Sequence, residues 1–173
     1  MTTSVAGQDA ARERSPAVVV LGIGNLIMGD DGTGPELLAR LRSRWGDDPR
    51  VEFVDGGIQG MELLPTVQEA QSLLLLDAIA PSASTPQPGT ALRIGGDQVP
   101  RLLAAKLSPH QVGMLDVLAA ARLTSKEPER VEVVGIVPGD VDIRIGLSPA
   151  VVASLEAAVD LAVGVLQEWL GDR

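Results

Sequence analysis

The sequence predicts an α/β fold: a three-layer arrangement in which a twisted, mostly parallel sheet is flanked by helices. Three observations carry that prediction. Aliphatic runs recur at residues 17–23, 51–54, 72–76 and 131–137 without polar alternation, as expected of strands covered on both faces. Helical patterns at 35–44, 61–70 and about 111–123 separate them, and alternating strand and helix favours parallel pairing. The first run also empties into a glycine-rich turn bearing two adjacent carboxylates, Asp30 and Asp31, and open α/β sheets keep their chemistry at such strand ends.

Taken in order, residues 1–16 mix Asp9, Arg12, Glu13 and Arg14 without an apolar core, so they read as a disordered leader rather than a secretory signal. Residues 17–173 read as one domain. Residues 80–89, APSASTPQPG, hold three prolines and three serine or threonine residues, marking an exposed connector and a candidate recognition element. Residues 90–94 are open to reading as an extra edge strand, antiparallel to the rest, before a helix at 98–105. Ser148 and Pro149 supply an N-cap and a first-turn proline for a helix to about Leu170, on which Glu156 and Asp160 share a face. That helix carries Glu156, Asp160 and Glu168, so no segment is expected to span a membrane.

Composition narrows the function. A net charge of −9 disfavours nucleic acid and anionic membranes, both of which need basic patches. With no cysteine, the chain has no disulfide framework, thiolate metal site or cysteine nucleophile, and a cytoplasmic setting fits. One histidine and no tyrosine leave carboxylates and His110 as the candidate reactive groups.

The turn after the first strand is a poor dinucleotide site, because Ile27 stands where the third fingerprint glycine belongs and two carboxylates would repel a pyrophosphate. No Walker pattern and no nucleophile-elbow serine occur. The plainest alternative for Asp30 or Asp31 is a helix N-cap ahead of Pro35, a reading better suited to Asp30. Two further runs end in aspartate, Val54-Asp55-Gly56-Gly57 and Leu76-Asp77-Ala78, which places their carboxylates on the same sheet edge. His110, in Ser108-Pro109-His110-Gln111, sits at a predicted helix start. Two carboxylates and an imidazole suit zinc, nickel, manganese or iron with open positions, and so amide hydrolysis.

LGIGNLIMGDDGTG, VDGGIQGMELL, LLLLDAI, SPHQVGMLDVL and GIVPGDVDIRIGLSP follow one another in an order that resembles the nickel-iron hydrogenase maturation endopeptidases, which trim the C-terminus of the hydrogenase large subunit. The resemblance covers residues 17 to about 170. It implies a five-stranded sheet, a peptidase domain, a hydrogenase large-subunit precursor as partner, and a metal-contacting trio at Asp31, Asp77 and His110. Asp55, of the aspartate-glycine-glycine motif, is implied to be functional as well, and either Asp55 or one of the trio is expected to act in catalysis by orienting the attacking water while the metal polarises the scissile carbonyl. Two positions depart from the family pattern: Asp31 stands where many relatives carry glutamate, and Ile58 where threonine is common.

The expected function is removal of the C-terminal extension from a nickel-loaded precursor, the nickel belonging to the substrate. Two alternatives stand beside it: a protease holding its own divalent metal such as zinc, and a non-catalytic metal-recognising assembly factor. A monomer is expected.

Overall fold

The structure, a computed structural model, describes residues 16–80, 87–104 and 109–171, and of residues 109–112 it describes the backbone alone. Its strands are β1 (Val18–Ile23), β2 (Val51–Gly57), β3 (Ser72–Ala78), β4 (Ala91–Gly95) and β5 (Arg130–Ile136). The helices are α1 (Thr33–Trp45), α2 (Leu64–Glu69), α3 (Gln98–Ala104), α4 (Pro109–Leu123) and α5 (Pro149–Leu170). The leader up to residue 15 and residues 81–86 of the proline-rich connector lie outside the described residues.

The strands form one five-stranded sheet in the order β2-β1-β3-β5-β4. β1 pairs in parallel with β2 and β3, and β3 with β5, whereas β4 runs antiparallel to β5 as the edge strand. The predicted mixed sheet is therefore the observed one. β1 and β3 are buried along their whole length because both are central and covered on both faces.

The pleat divides their side chains between two cores. Val18, Val20, Leu74, Leu76, Val134 and Ile136 pack beneath α1 and α5. Val19, Leu21, Ile23, Leu73, Leu75 and Val133 pack beneath the layer formed by α2, α3 and α4. Successive residues serving opposite cores explain why the runs show no polar alternation.

Three boundaries differ from the sequence reading. β2 and β3 run on through Gly57 and Ala78, so Asp55 and Asp77 belong to the last residues of their strands rather than to the turns beyond. The helix predicted over 61–70 divides into a 3₁₀ turn, Met61–Leu63, and the short α2. Pro65 explains the division: it lacks an amide hydrogen and is accommodated only in the first turn of the α-helix. Finally, α1 begins at Thr33, ahead of Pro35.

The C-terminal helix also corrects an expectation, since by length and composition it is apolar enough to cross a membrane. The apolarity serves the core. Val151, Leu155, Ala158, Val159, Ala162, Val165 and Leu166 are buried against the sheet. On its outer side Glu156 pairs with Arg40 at 2.9 Å and with Arg44, and Asp160 also pairs with Arg44, which ties α5 to α1. Ser148 caps the helix as predicted, accepting a bond from the Val151 amide.

Candidate active site

Because β1, β2, β3 and β5 are parallel, their C-terminal ends share one edge, and the candidate residues gather there. The turn after β1 closes as a 3₁₀ turn, Gly29–Gly32, that leads into α1 and packs against the end of β3. It carries Asp30 and Asp31, which are 0% and 2% exposed. Carboxylates this deeply buried need partners.

Asp30 finds its partners more than a hundred residues away. Its Oδ2 accepts from the Gly139 amide at 2.8 Å, the Asp140 amide at 3.0 Å and the Ser148 hydroxyl at 2.7 Å, while Oδ1 accepts from the Ser148 amide. Burial opposes the charge, but these bonds outweigh it and hold the carboxyl below its ordinary range. Neither Asp30 nor Asp31 caps α1, whose N-cap is Gly32 without a side-chain bond. The capping alternative is thus replaced by a clamp that fastens the turn to loop 139–148 and to the start of α5.

Asp31 points elsewhere: its Oδ2 accepts from the Asn25 amide at 3.1 Å across the mouth of the same turn. Gly29 makes the fold of this turn possible. Its φ is 53°, and a Cβ there would stand 2.7 Å from the Asp140 carbonyl oxygen, so only glycine lets loop and turn approach.

Asp77 is the penultimate residue of β3 and is 2% exposed, with Oδ1 accepting from the Ala78 amide at 2.7 Å. By the pleat it follows Leu73 and Leu75, so it faces the layer that holds α4. His110 lies in the first turn of α4, at the predicted helix start, and its side chain is outside the described residues. The loop after β2 reaches the same helix: a Cβ on Gly113 would lie 3.3 Å from the Gly60 Cα.

Asp55 behaves differently. It follows Val51 and Phe53, which pack on the α1 and α5 side, so the pleat directs it away from the face of Asp77. It is exposed, and its Oδ1 accepts from the Gly57 amide at 3.0 Å. A register shift between Gly22 and Ile23 lets Asp55 and Gly57 pair with successive residues of β1, a bulge at the rim of the edge.

Two buried carboxylates, Asp31 and Asp77, therefore stand at the ends of the adjacent central strands β1 and β3, with the first turn of α4 on the side that Asp77 faces. Among the described residues no three His, Cys, Asp or Glu side chains are placed to hold a metal ion. The described donors alone make no closed metal site; completing an oxygen and nitrogen set calls on His110. What sequence reasoning missed is the Asp30 clamp. Its signal was present as a polar Gly139-Asp140 and Leu147-Ser148 flank in the fifth motif, but nothing local links it to Asp30.

Comparison with known proteins identifies the family. The hydrogenase maturation protease family model matches residues 35–165. Hydrogenase 2 maturation protease of Escherichia coli K12 is 36% identical over 151 residues, covering 87% of this chain and 91% of its own. Hydrogenase expression/formation protein HupM of Azotobacter chroococcum is 38% identical over 156 residues, covering 89% and 73%. The solved structure of the hydrogenase maturating endopeptidase HybD from E. coli superposes with a TM-score of 0.82 at 36% identity, over 87% of this chain and 92% of that one. The chain belongs to the hydrogenase maturation protease family, and it is a protease.

Proposed function

We propose that this protease removes the C-terminal extension of a nickel-loaded hydrogenase large-subunit precursor, and that Asp31, Asp77 and His110 contact the nickel of the substrate. The observation that carries the reading is the pair of buried carboxylates at the ends of β1 and β3, where open α/β sheets bind their ligands. Burying two carboxylates at one edge is costly in a fold that needs neither for its core, and groups so placed are candidates for function.

Recognition of this kind makes nickel insertion a checkpoint, because a precursor without metal gives the trio nothing to hold. The substrate's nickel supplies Lewis acidity toward the scissile carbonyl. Asp77 faces the layer of α4 and is better placed than Asp55 to orient a water there. In the hydrolysis the water oxygen bonds to the carbonyl carbon, the C–N bond breaks, and the leaving amine takes up the proton lost by water. Asp55, exposed on the rim, is assigned to holding the substrate chain rather than the water.

The test is His110→Ala, scored by precursor mobility on a gel and by circular dichroism. Loss of processing with an unchanged fold is expected; normal processing removes His110 from the site. Equilibrium dialysis of the protease alone against nickel and zinc separates substrate metal from resident metal: tight stoichiometric binding would assign the ion to the protease.

A further inference from the structure

The turn that presents Asp31 also builds a second feature, on its outer side. Met28 and Arg144 form an isolated parallel bridge, in which the Arg144 amide donates to the Ile27 carbonyl at 3.0 Å and the Gly29 amide donates to the Arg144 carbonyl at 2.8 Å. Residues 142–146 are all exposed, and the side chains of Ile143 and Ile145, on either side of the bridge residue, are 84% and 86% exposed.

Beside Ile145 lies a pocket of about 390 Å³, lined largely by apolar groups that include Leu26, Leu147, Val152 and Leu155. Leu26 at 60% and Val152 at 52% are themselves exposed. Exposed aliphatic side chains beside an apolar pocket suit an aliphatic stretch of a partner chain that seats one side chain in the pocket. Around it stand five carboxylates, Glu36, Asp140, Asp142, Glu156 and Asp160, against three guanidinium groups, Arg40, Arg44 and Arg144, each already bound to one or more of them. That balance selects a neutral or basic segment and rejects an acidic one. Finally, the Asp30 clamp and the Gly29 contact fasten this loop to the turn that carries Asp31.

We propose that loop 142–146 is a docking site for the precursor, which lays an aliphatic, non-acidic stretch of chain against Ile143 and Ile145 and seats one side chain in the neighbouring pocket. The assignment rests on the proposed function, since it names where the precursor is held while its metal is at the trio. It also gives the Asp30 clamp a purpose: the docking loop and Asp31 move as one unit.

The test uses the full chain and nickel-loaded precursor. Ile145→Asp should raise KM about tenfold or more, the factor expected for losing one buried aliphatic contact, with kcat little changed, and Ile145→Leu should restore KM. If the wild type cuts the precursor and Ile145→Asp shows an unchanged KM, the docking loop is overturned while the proposed function stands. Failure of the wild type to cut would overturn the function itself. Because the chain has no cysteine, Ile143→Cys carries a single photoreactive group. Cross-links to an apolar stretch of the precursor are expected from it and none from Leu123→Cys, on an exposed site at the far end of α4. Cross-links to a second copy of the chain instead would overturn the assignment to the precursor.

Discussion

The turn after β1 and the loop after β2 leave the same edge of the sheet and share acidic motifs, yet they are built on opposite plans. In the turn, Asp30 and Asp31 are buried, and the backbone is tied to loop 139–148 by the Asp30 carboxylate and by amide bonds such as Asp30 to the Asp140 carbonyl at 2.8 Å. In the loop, Asp55, Ile58 and Gln59 are exposed, and the Asp55 carboxylate reaches only to the Gly57 amide beside it. The two segments touch through the Gly24 amide and the Gly57 carbonyl at 2.8 Å. The contrast is one of anchoring: the turn is fixed to loop 139–148, which sets where Asp31 stands, whereas the loop after β2 is exposed and held by short-range bonds.

The strongest way to break the contrast is Asp30→Asn. Its amide would meet donors on every side, and the loss of charge-assisted bonds should lower stability by about 2–3 kcal/mol, measured by urea unfolding. A loss below the error of that measurement would mean that the turn is not clamped. The pH dependence has a definite sign. The folded carboxyl is held below its ordinary value of 3.8, so its contribution is complete above that value and is lost as pH falls through the lower, folded pKa. The stability gap between wild type and Asp30→Asn should therefore narrow on acidification below about pH 4.

Gly29→Ala tests the same side through the backbone. With φ at 53° and a Cβ 2.7 Å from the Asp140 oxygen, it should cost about 1–3 kcal/mol and release loop 139–148, read as faster amide exchange there. On the side of the loop after β2, Gly113→Ala brings a methyl to 3.3 Å from Gly60, a contact relieved by a shift of a few tenths of an ångström. Stability should change by less than about 1 kcal/mol while KM for the precursor rises, so an unchanged KM would separate the loop from substrate binding. The smallest effect belongs to the α1 and α5 surface: Arg44→Ala should cost under about 1 kcal/mol, because Arg44 and its partners Glu156 and Asp160 are largely exposed.

Much of this architecture was legible in the chain. Unbroken aliphatic runs such as Leu73 to Leu76 announce a strand covered twice, and acidic residues at the ends of such runs announce one functional edge. Residues 90–94 were open to reading as an antiparallel edge strand, and β4 is one. The missing parts depend on distance or on direction. Asp30 bonds to Gly139, Asp140 and Ser148 across more than a hundred residues, and no local propensity encodes such a contact. The opposed directions of Asp55 and Asp77 needed the strand extensions to Gly57 and Ala78, which motif spacing alone does not contain. In α5, a count of charges hid how apolar the helix is, because Glu156 and Asp160 gather on the face that meets Arg40 and Arg44.

The central claim is that Asp31, Asp77 and His110 read the nickel carried by the substrate. The most direct measurement is the rate at which the wild-type protease cuts nickel-loaded precursor relative to the same precursor prepared without nickel. The account predicts cutting of the loaded form and none of the empty form; equal rates on both would contradict it.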